Sequence, residues 1–118
     1  MSALVKPVTW TLGIVLLVIG ILGFLMDSPL LGLFEVDLEH NIVHVVSGLA
    51  GLATANSWSR ARMFLIVFGV IYAAVTVLGF IMGEGELLGL LAINQADNFL
   101  HLAIAAVCLV VGLGAKRP

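Results

Sequence analysis

The sequence predicts an all-α membrane protein: four transmembrane helices built as two duplicated helical hairpins with pseudo-two-fold symmetry. Three observations predict it, namely the composition, four long apolar runs and an internal repeat. The chain has 118 residues, of which 62% are hydrophobic and 10% charged, with a mean hydropathy of +1.23. Soluble domains carry about 25% charged residues. A spanning helix takes about 20 apolar residues, so four would use about 80 and leave about 38 for connections and tails. Within these residues there is then no room for a separate soluble domain. A net charge of −2 without a basic patch excludes a nucleic-acid binder, and a single cysteine excludes a disulfide framework.

The four runs are continuous, unlike the alternating short segments of a membrane β-barrel. The first covers residues 8–26, with Pro7 where a first helical turn tolerates it and Asp27, Ser28 and Pro29 as its stop. Lys6 before an apolar stretch is also how a signal peptide begins, but the run is long and no small-residue cleavage site follows Met26. The segment is therefore expected to be retained. The second run, 38–55, ends in the polar residues 56–60; the third, 61–82, stops at Gly83-Glu84-Gly85-Glu86; the fourth, 95–115, is followed by Lys116-Arg117-Pro118. Two apolar pieces, 30–36 and 87–93, are too short to cross and are expected in the interface or folded back against the bundle. Trp10 and Trp58 fall near the ends of runs, where an aromatic belt is expected.

The chain is written twice. Leu30-Leu31-Gly32-Leu33 recurs as Leu87-Leu88-Gly89-Leu90, and in the same register Val36 meets Ile93, Asp37 meets Asn94, Asn41 meets Asn98 and His44 meets His101. One residue out of phase, Leu22-Gly23-Phe24 and Met26 recur as Leu78-Gly79-Phe80 and Met82, and Gly13 meets Gly69. Matches among leucines and glycines arise by chance, whereas Asn-x-x-His repeated in register does not arise so easily. Residues 1–118 read as a single integral membrane domain with repeats at 8–55 and 61–115, related by an axis along the membrane normal.

Charge sets the expected sidedness. Lys6, Arg60, Arg62, Lys116 and Arg117 fall on the tails or between runs two and three, which is one side of a four-span chain. Asp27, Glu35, Asp37, Glu39, Glu84, Glu86 and Asp97 all fall on the other. The positive-inside rule then puts both termini in the cytoplasm of a cell whose inner membrane holds the protein, with the acidic mouth outside.

Asp37 and Asn94 are suited to cap runs two and four, and Asn94-x-x-Asp97 has the spacing of a capping box. Counting from those caps, Asn41 and His44 share one helix face, as do Asn98 and His101. Farther along come small residues, Ser47, Gly48, Gly51 and Ala55 in one copy and Ala105, Cys108 and Gly112 in the other, so runs two and four are expected to meet closely. Ionisable groups at this depth are costly and point to function. Three readings stay open for the Asn–His cluster. It can hold the hairpins together by hydrogen bonds; His44 and His101 can ligate a metal or haem, or bind a quinone-like ligand; or the pair can serve a proton or ion path. Two histidines are too few for a structural zinc site. His40 aligns with Asp97 and is expected at the interface, and Cys108 as a small packing residue. Tyr72 and Thr76, one turn apart, are expected to pack, with an interhelical hydrogen bond as the alternative.

The segment from Leu31-Gly32-Leu33-Phe34 through His40-Asn41-x-Val43-His44 to Ser47-Gly48-x-x-Gly51-Leu52 resembles the first signature of a bacterial membrane family called domain of unknown function 4383. Leu88-Gly89-Leu90-x-x-Ile93-Asn94-x-Ala96-Asp97-Asn98-x-x-His101-Leu102 resembles its second, and Arg60-Ala61-Arg62 leading to Phe68-Gly69-Val70-x-Tyr72 its third span. The resemblance implies a small four-span protein without an established activity. No phosphate loop, hydrolase elbow or Cys-x-x-Cys motif is present, and an enzyme is not expected. The expected role is an accessory or structural membrane component, acting as a homo-oligomer or in a larger complex in the bilayer, most simply without a cofactor.

Overall fold

Four helices stand where the apolar runs stand. The computed structural model describes residues 1–26, 28, 32, 37–83, 85–87 and 91–118. Asp27, Glu35, Glu84 and, apart from Gly32, the short piece 30–36 with its Leu-Leu-Gly-Leu motif lie outside the described residues, as does Leu88-Gly89-Leu90 of the second copy. A single 3-10 turn, Ser2–Leu4, leads into α1 (Val5–Leu25); α2 is Leu38–Thr54, α3 is Trp58–Met82 and α4 is Gln95–Gly114. Pro7 sits in the first turn of α1, where its missing N–H costs nothing. Three helices are long and apolar enough to cross a membrane: α1 with its leading turn, α3 and α4. The shorter α2 has 17 residues, about 26 Å of helix at about 1.5 Å per residue.

The caps follow the sequence. Asp37 Oδ1 accepts from the His40 backbone N–H at 2.8 Å. Asn94 and Asp97 form a reciprocal capping box, both bonds at 2.9 Å. The start of α3 differs from the expected boundary at 61. Ser57 has extended backbone and its side chain accepts from Arg60 N–H, so Trp58, Ser59 and Arg60 form the first turn and not a loop. The second short apolar piece is more ordered than expected. Gly85–Leu87 (β1) and Leu91–Ile93 (β2) pair antiparallel, Gly85 opposite Ile93 and Leu87 opposite Leu91. A two-stranded ladder pairs the backbone groups that a segment folded against an apolar bundle would otherwise leave without partners.

Helix α1 packs chiefly on α2 and α3 chiefly on α4. Both pairs run antiparallel: Gly13 of α1 meets Gly48 and Gly51, while Gly20 and Gly23 meet Val45 and Asn41. In the second pair Gly69 meets Cys108 and Leu109, and Gly79 meets Asn98. These are matched positions of the two sequence copies. The small-residue stripe therefore works differently from the expectation: Gly48 and Gly51 admit α1, while Cys108 and Gly112 lie against Gly69, Leu65 and Ile66 of α3. Among the described residues α2 and α4 have little backbone contact and approach through longer side chains. A stripe of small residues marks where a helix comes close without saying which helix it is.

Beside an apolar core that includes Leu16, Phe64, Leu65 and Ile104, the bundle buries many polar groups and leaves large apolar side chains outside. His40, Asn41, His44, Ser47, Thr76, Asp97, Asn98 and His101 are buried, whereas Ile14, Val18, Ile21, Val46, Leu49, Val70, Val77, Phe99 and Leu113 are exposed. Contacts also sort the ends. Trp58 Nε1 donates to the Ser2 carbonyl at 2.9 Å and Arg62 Nε to the Gly112 carbonyl at 2.9 Å, gathering the tails and the α2–α3 turn at one end. All five basic residues belong to that end, and Asp37, Glu39 and Asp97 to the other.

The α1–α2 contact sets a stability test. A Cβ on Gly48 would stand 2.8 Å from both the Gly13 oxygen and Leu17 Cα, which are backbone atoms that cannot rotate away. Gly48→Ala should destabilise by about 1–3 kcal/mol, the ordinary cost of overpacking. Gly114→Ala, whose Cβ would meet only the flexible Met1 side chain at 3.6 Å or more, should be neutral or slightly stabilising. Unfolding of both variants in detergent, followed by circular dichroism, measures the difference.

Candidate functional site

The feature that concentrates chemistry is a cluster of three histidines enclosed by α2, α3 and α4. His40 and His44 are four residues apart on α2, which puts them on one helix face, and His101 reaches them from α4. Relative exposures are 1%, 1% and 2%, so none of the rings faces the surroundings of the bundle. The ring centroids are 4.5 Å apart for His40–His44, 5.4 Å for His40–His101 and 6.0 Å for His44–His101. His40 Nε2 lies 3.4 Å from His101 Nε2. One potential ligand nitrogen from each ring falls within 4.8 Å of the others.

Asn41 and Asn98 flank the cluster and are held by packing. The Asn41 amide occupies the space that the absent side chain of Gly23 leaves on α1, and Asn98 does the same at Gly79 on α3. Asn98 Nδ2 also donates to Gln95 Oε1 at 3.0 Å. On the remaining side Tyr72 of α3 packs its ring 5.5 Å from His101 and donates its hydroxyl to Ser47 Oγ of α2 at 3.2 Å. Tyr72 thus makes the interhelical bond, while Thr76 Oγ1 turns back to the Tyr72 carbonyl at 2.7 Å. Cys108 is buried and free, packed near Gly69.

The expected residues are brought together in part. His44 and His101 face each other, with Asn41 and Asn98 one turn nearer the caps. Asp37, Asn94 and Asp97 cap their helices, and Ser47 joins through Tyr72. Gly48, Gly51, Cys108 and Gly112 serve the packing of the helices, and Ala105 is buried in the apolar core. His40 corrects the expectation that placed it at the interface: its ring is the central member. Aligning it with Asp97 concealed this, because the second copy has no matching histidine. The signal was nonetheless in the sequence, since His40-x-x-x-His44 is the spacing that puts two imidazoles on one face of a helix.

The polar accounting of the cluster is incomplete. Among the described residues neither ring nitrogen of His44 has a hydrogen-bond partner, nor has His101 Nδ1 or the Oδ1 atoms of Asn41 and Asn98. A buried polar atom left this way costs about 1–3 kcal/mol, and such atoms in a native protein call for a water, an ion or a functional explanation. A haem does not fit between the rings. The macrocycle would have to enter between His44 and His101, where His40 is already in contact with both.

A family model described as Domain of unknown function (DUF4383) matches residues 6–114, and the chain belongs to that family. No curated protein and no solved structure matches the chain. Membership agrees with the sequence resemblance and assigns no activity.

The Tyr72–Ser47 bond gives a local test of how the site is held. Tyr72→Phe should cost about 0.5–1.5 kcal/mol, and in a double-mutant cycle with Ser47→Ala the two losses should not add. Thermal unfolding of the four proteins in one detergent checks this.

Proposed function

We propose that this member of the DUF4383 family is a four-span protein of the bacterial cytoplasmic membrane, built from two repeated hairpins with both termini in the cytoplasm. It acts as a small accessory or structural component, associating laterally with copies of itself or with a larger membrane complex, and is not an enzyme on its own. The observation that carries this reading is the apolar exterior: exposed aliphatic and aromatic side chains along the helices, around an interior in which buried histidine, asparagine, serine and threonine lie beside an apolar core. Such an exterior suits hydrocarbon, and the buried polar groups are kept from it inside the bundle. Helix α2 serves as the fourth span. Its short length is accommodated by local thinning of the bilayer or by the flanking residues, at modest cost.

Support for the hairpin repeat comes from paired contacts in matched positions: Asn41 on Gly23 and Asn98 on Gly79, Gly13 on Gly51 and Gly69 on Cys108. Support for the orientation is the gathering of Lys6, Arg60, Arg62, Lys116 and Arg117 at one end. The lateral role follows from what each helix offers outward, which is aliphatic and aromatic side chains with few groups that could do chemistry.

Topology and association are tested together. Single cysteines introduced at Ser59, Glu39 and Lys116 in a Cys108→Ser background should react with a membrane-impermeant maleimide in intact cells only at position 39. Reaction at 59 or 116 instead would invert the orientation, and reaction at both ends would deny four spans. In lipid nanodiscs, crosslinking should yield defined homo-oligomers or a reproducible membrane partner. A monomer at native expression level with neither would refute the accessory role.

A further inference from the structure

We propose that His40, His44 and His101 form an intramembrane three-imidazole site for a first-row transition-metal ion, with Zn2+ the ion that its donor set fits best. The inference goes beyond the membrane reading and does not depend on the orientation of the chain. It stands on two independent observations: the convergence of three buried imidazoles from two helices, and the lack of any hydrogen-bond partner for both nitrogens of His44 among the described residues.

The geometry is close to what a metal requires. With Zn–N bonds of about 2.0–2.1 Å in a tetrahedral arrangement, two ligating nitrogens stand about 3.3 Å apart. The His40 Nε2–His101 Nε2 separation of 3.4 Å is such an edge. One nitrogen from each ring lies within 4.8 Å of the others, so the third ligand needs a shift of no more than about 1.5 Å to complete the set. Two ligands at i and i+4 of one helix and a third from another element is an arrangement that leaves a fourth position for water or a small ligand. Imidazole nitrogen suits Zn, Cu, Fe and Ni and disfavours Ca2+ and Mg2+, which take oxygen ligands.

The surroundings support the same occupant. Asp97 is fully buried one helical turn before His101, and Asp37 caps α2 just before His40, so carboxylates lie on the acidic side of the cluster. Ser47, held by the Tyr72 hydroxyl, is one turn beyond His44 on the opposite side. The cluster is also asymmetric in the way a three-ligand site needs to be. The sequence repeat alone supplies one histidine per half, and His40 adds the third.

The test uses full-length protein in mild detergent, stripped with a chelator and desalted. Added Zn2+ should be retained at about one ion per chain by elemental analysis, and it should raise the unfolding temperature in proportion to the logarithm of its free concentration. Added Co2+ should give the intense visible bands of a four-coordinate ion, displaced by Zn2+. His44→Gln and His101→Gln should each weaken binding at least about tenfold, which is about 1.4 kcal/mol, while Cys108→Ser leaves it unchanged. Should a histidine variant fail to fold, the concentration-dependent stabilisation of the unaltered protein decides the matter. The proposal is overturned if folded, monodisperse protein retains none of Zn2+, Co2+, Cu2+ or Ni2+ and shows no thermal shift. It is equally overturned if folded histidine variants bind as well as the parent. Neither result bears on the labelling pattern that tests the topology.

Discussion

The close approach of the two helices within each hairpin is the constraint on which the rest of the structure depends. In hydrocarbon, no solvent pushes helices together, so association rests on dispersion contact and interhelical hydrogen bonds. Gly13 gives α1 that contact with Gly48 and Gly51 of α2, and Gly69 gives α3 contact with Cys108 and Leu109 of α4. Once the backbones are this near, the two glycines farther along, Gly23 and Gly79, open the space in which the Asn41 and Asn98 amides sit. Those seats fix the rotation of α2 and α4 about their axes. His44 and His101, three residues beyond the asparagines, then point to the interior of the bundle.

Rotation alone would leave the histidines loosely placed, and three local features tighten the arrangement. The capping bonds from Asp37 and within Asn94–Asp97 hold the first turns of α2 and α4, the turns that carry His40 and precede His101. Tyr72 links α3 to α2 through Ser47 while its ring rests near His101, so both histidine-bearing helices are referred to the same side chain. At the other end, Trp58 to Ser2 joins the two hairpins, and Arg62 to Gly112 ties α3 to α4 within the second. The polar interior is therefore framed from both directions, although the helices that carry the histidines barely touch by backbone.

Most of the helical architecture was legible because long apolar runs admit few alternatives. The boundaries of α2 and α4 came within a residue of expectation, since Asp37, Asn94, Asn56 and Lys116 are strong punctuation. The start of α3 was less legible because Ser57 belongs to a polar cluster that reads as loop, and only its cap bond shows that the next three residues are helical. The partner of the small-residue stripe was not legible at all. Gly48 and Gly51 look the same in sequence whether α1 or α4 fills the space above them. In the site, repeat logic was both the guide and the obstacle: it singled out Asn41, His44, Asn98 and His101, and by the same reasoning discounted His40.

That discounted residue changes what the cluster is able to do. A single hydrogen bond between two facing imidazoles uses one nitrogen of each ring, since a neutral ring offers one donor and one acceptor. Here the short nitrogen–nitrogen contact joins His40 to His101, and His44, the member that the repeat does supply, is left with neither nitrogen bonded among the described residues. An additional histidine thus takes up the contact that a symmetric pair would share and leaves a donor set converging on one point. If the cluster existed only to hold the hairpins together, an apolar residue at position 44 would hold them at lower cost. An imidazole there, packed against two others within a bundle whose exterior is apolar, is the group that the proposed metal site would use as its third ligand.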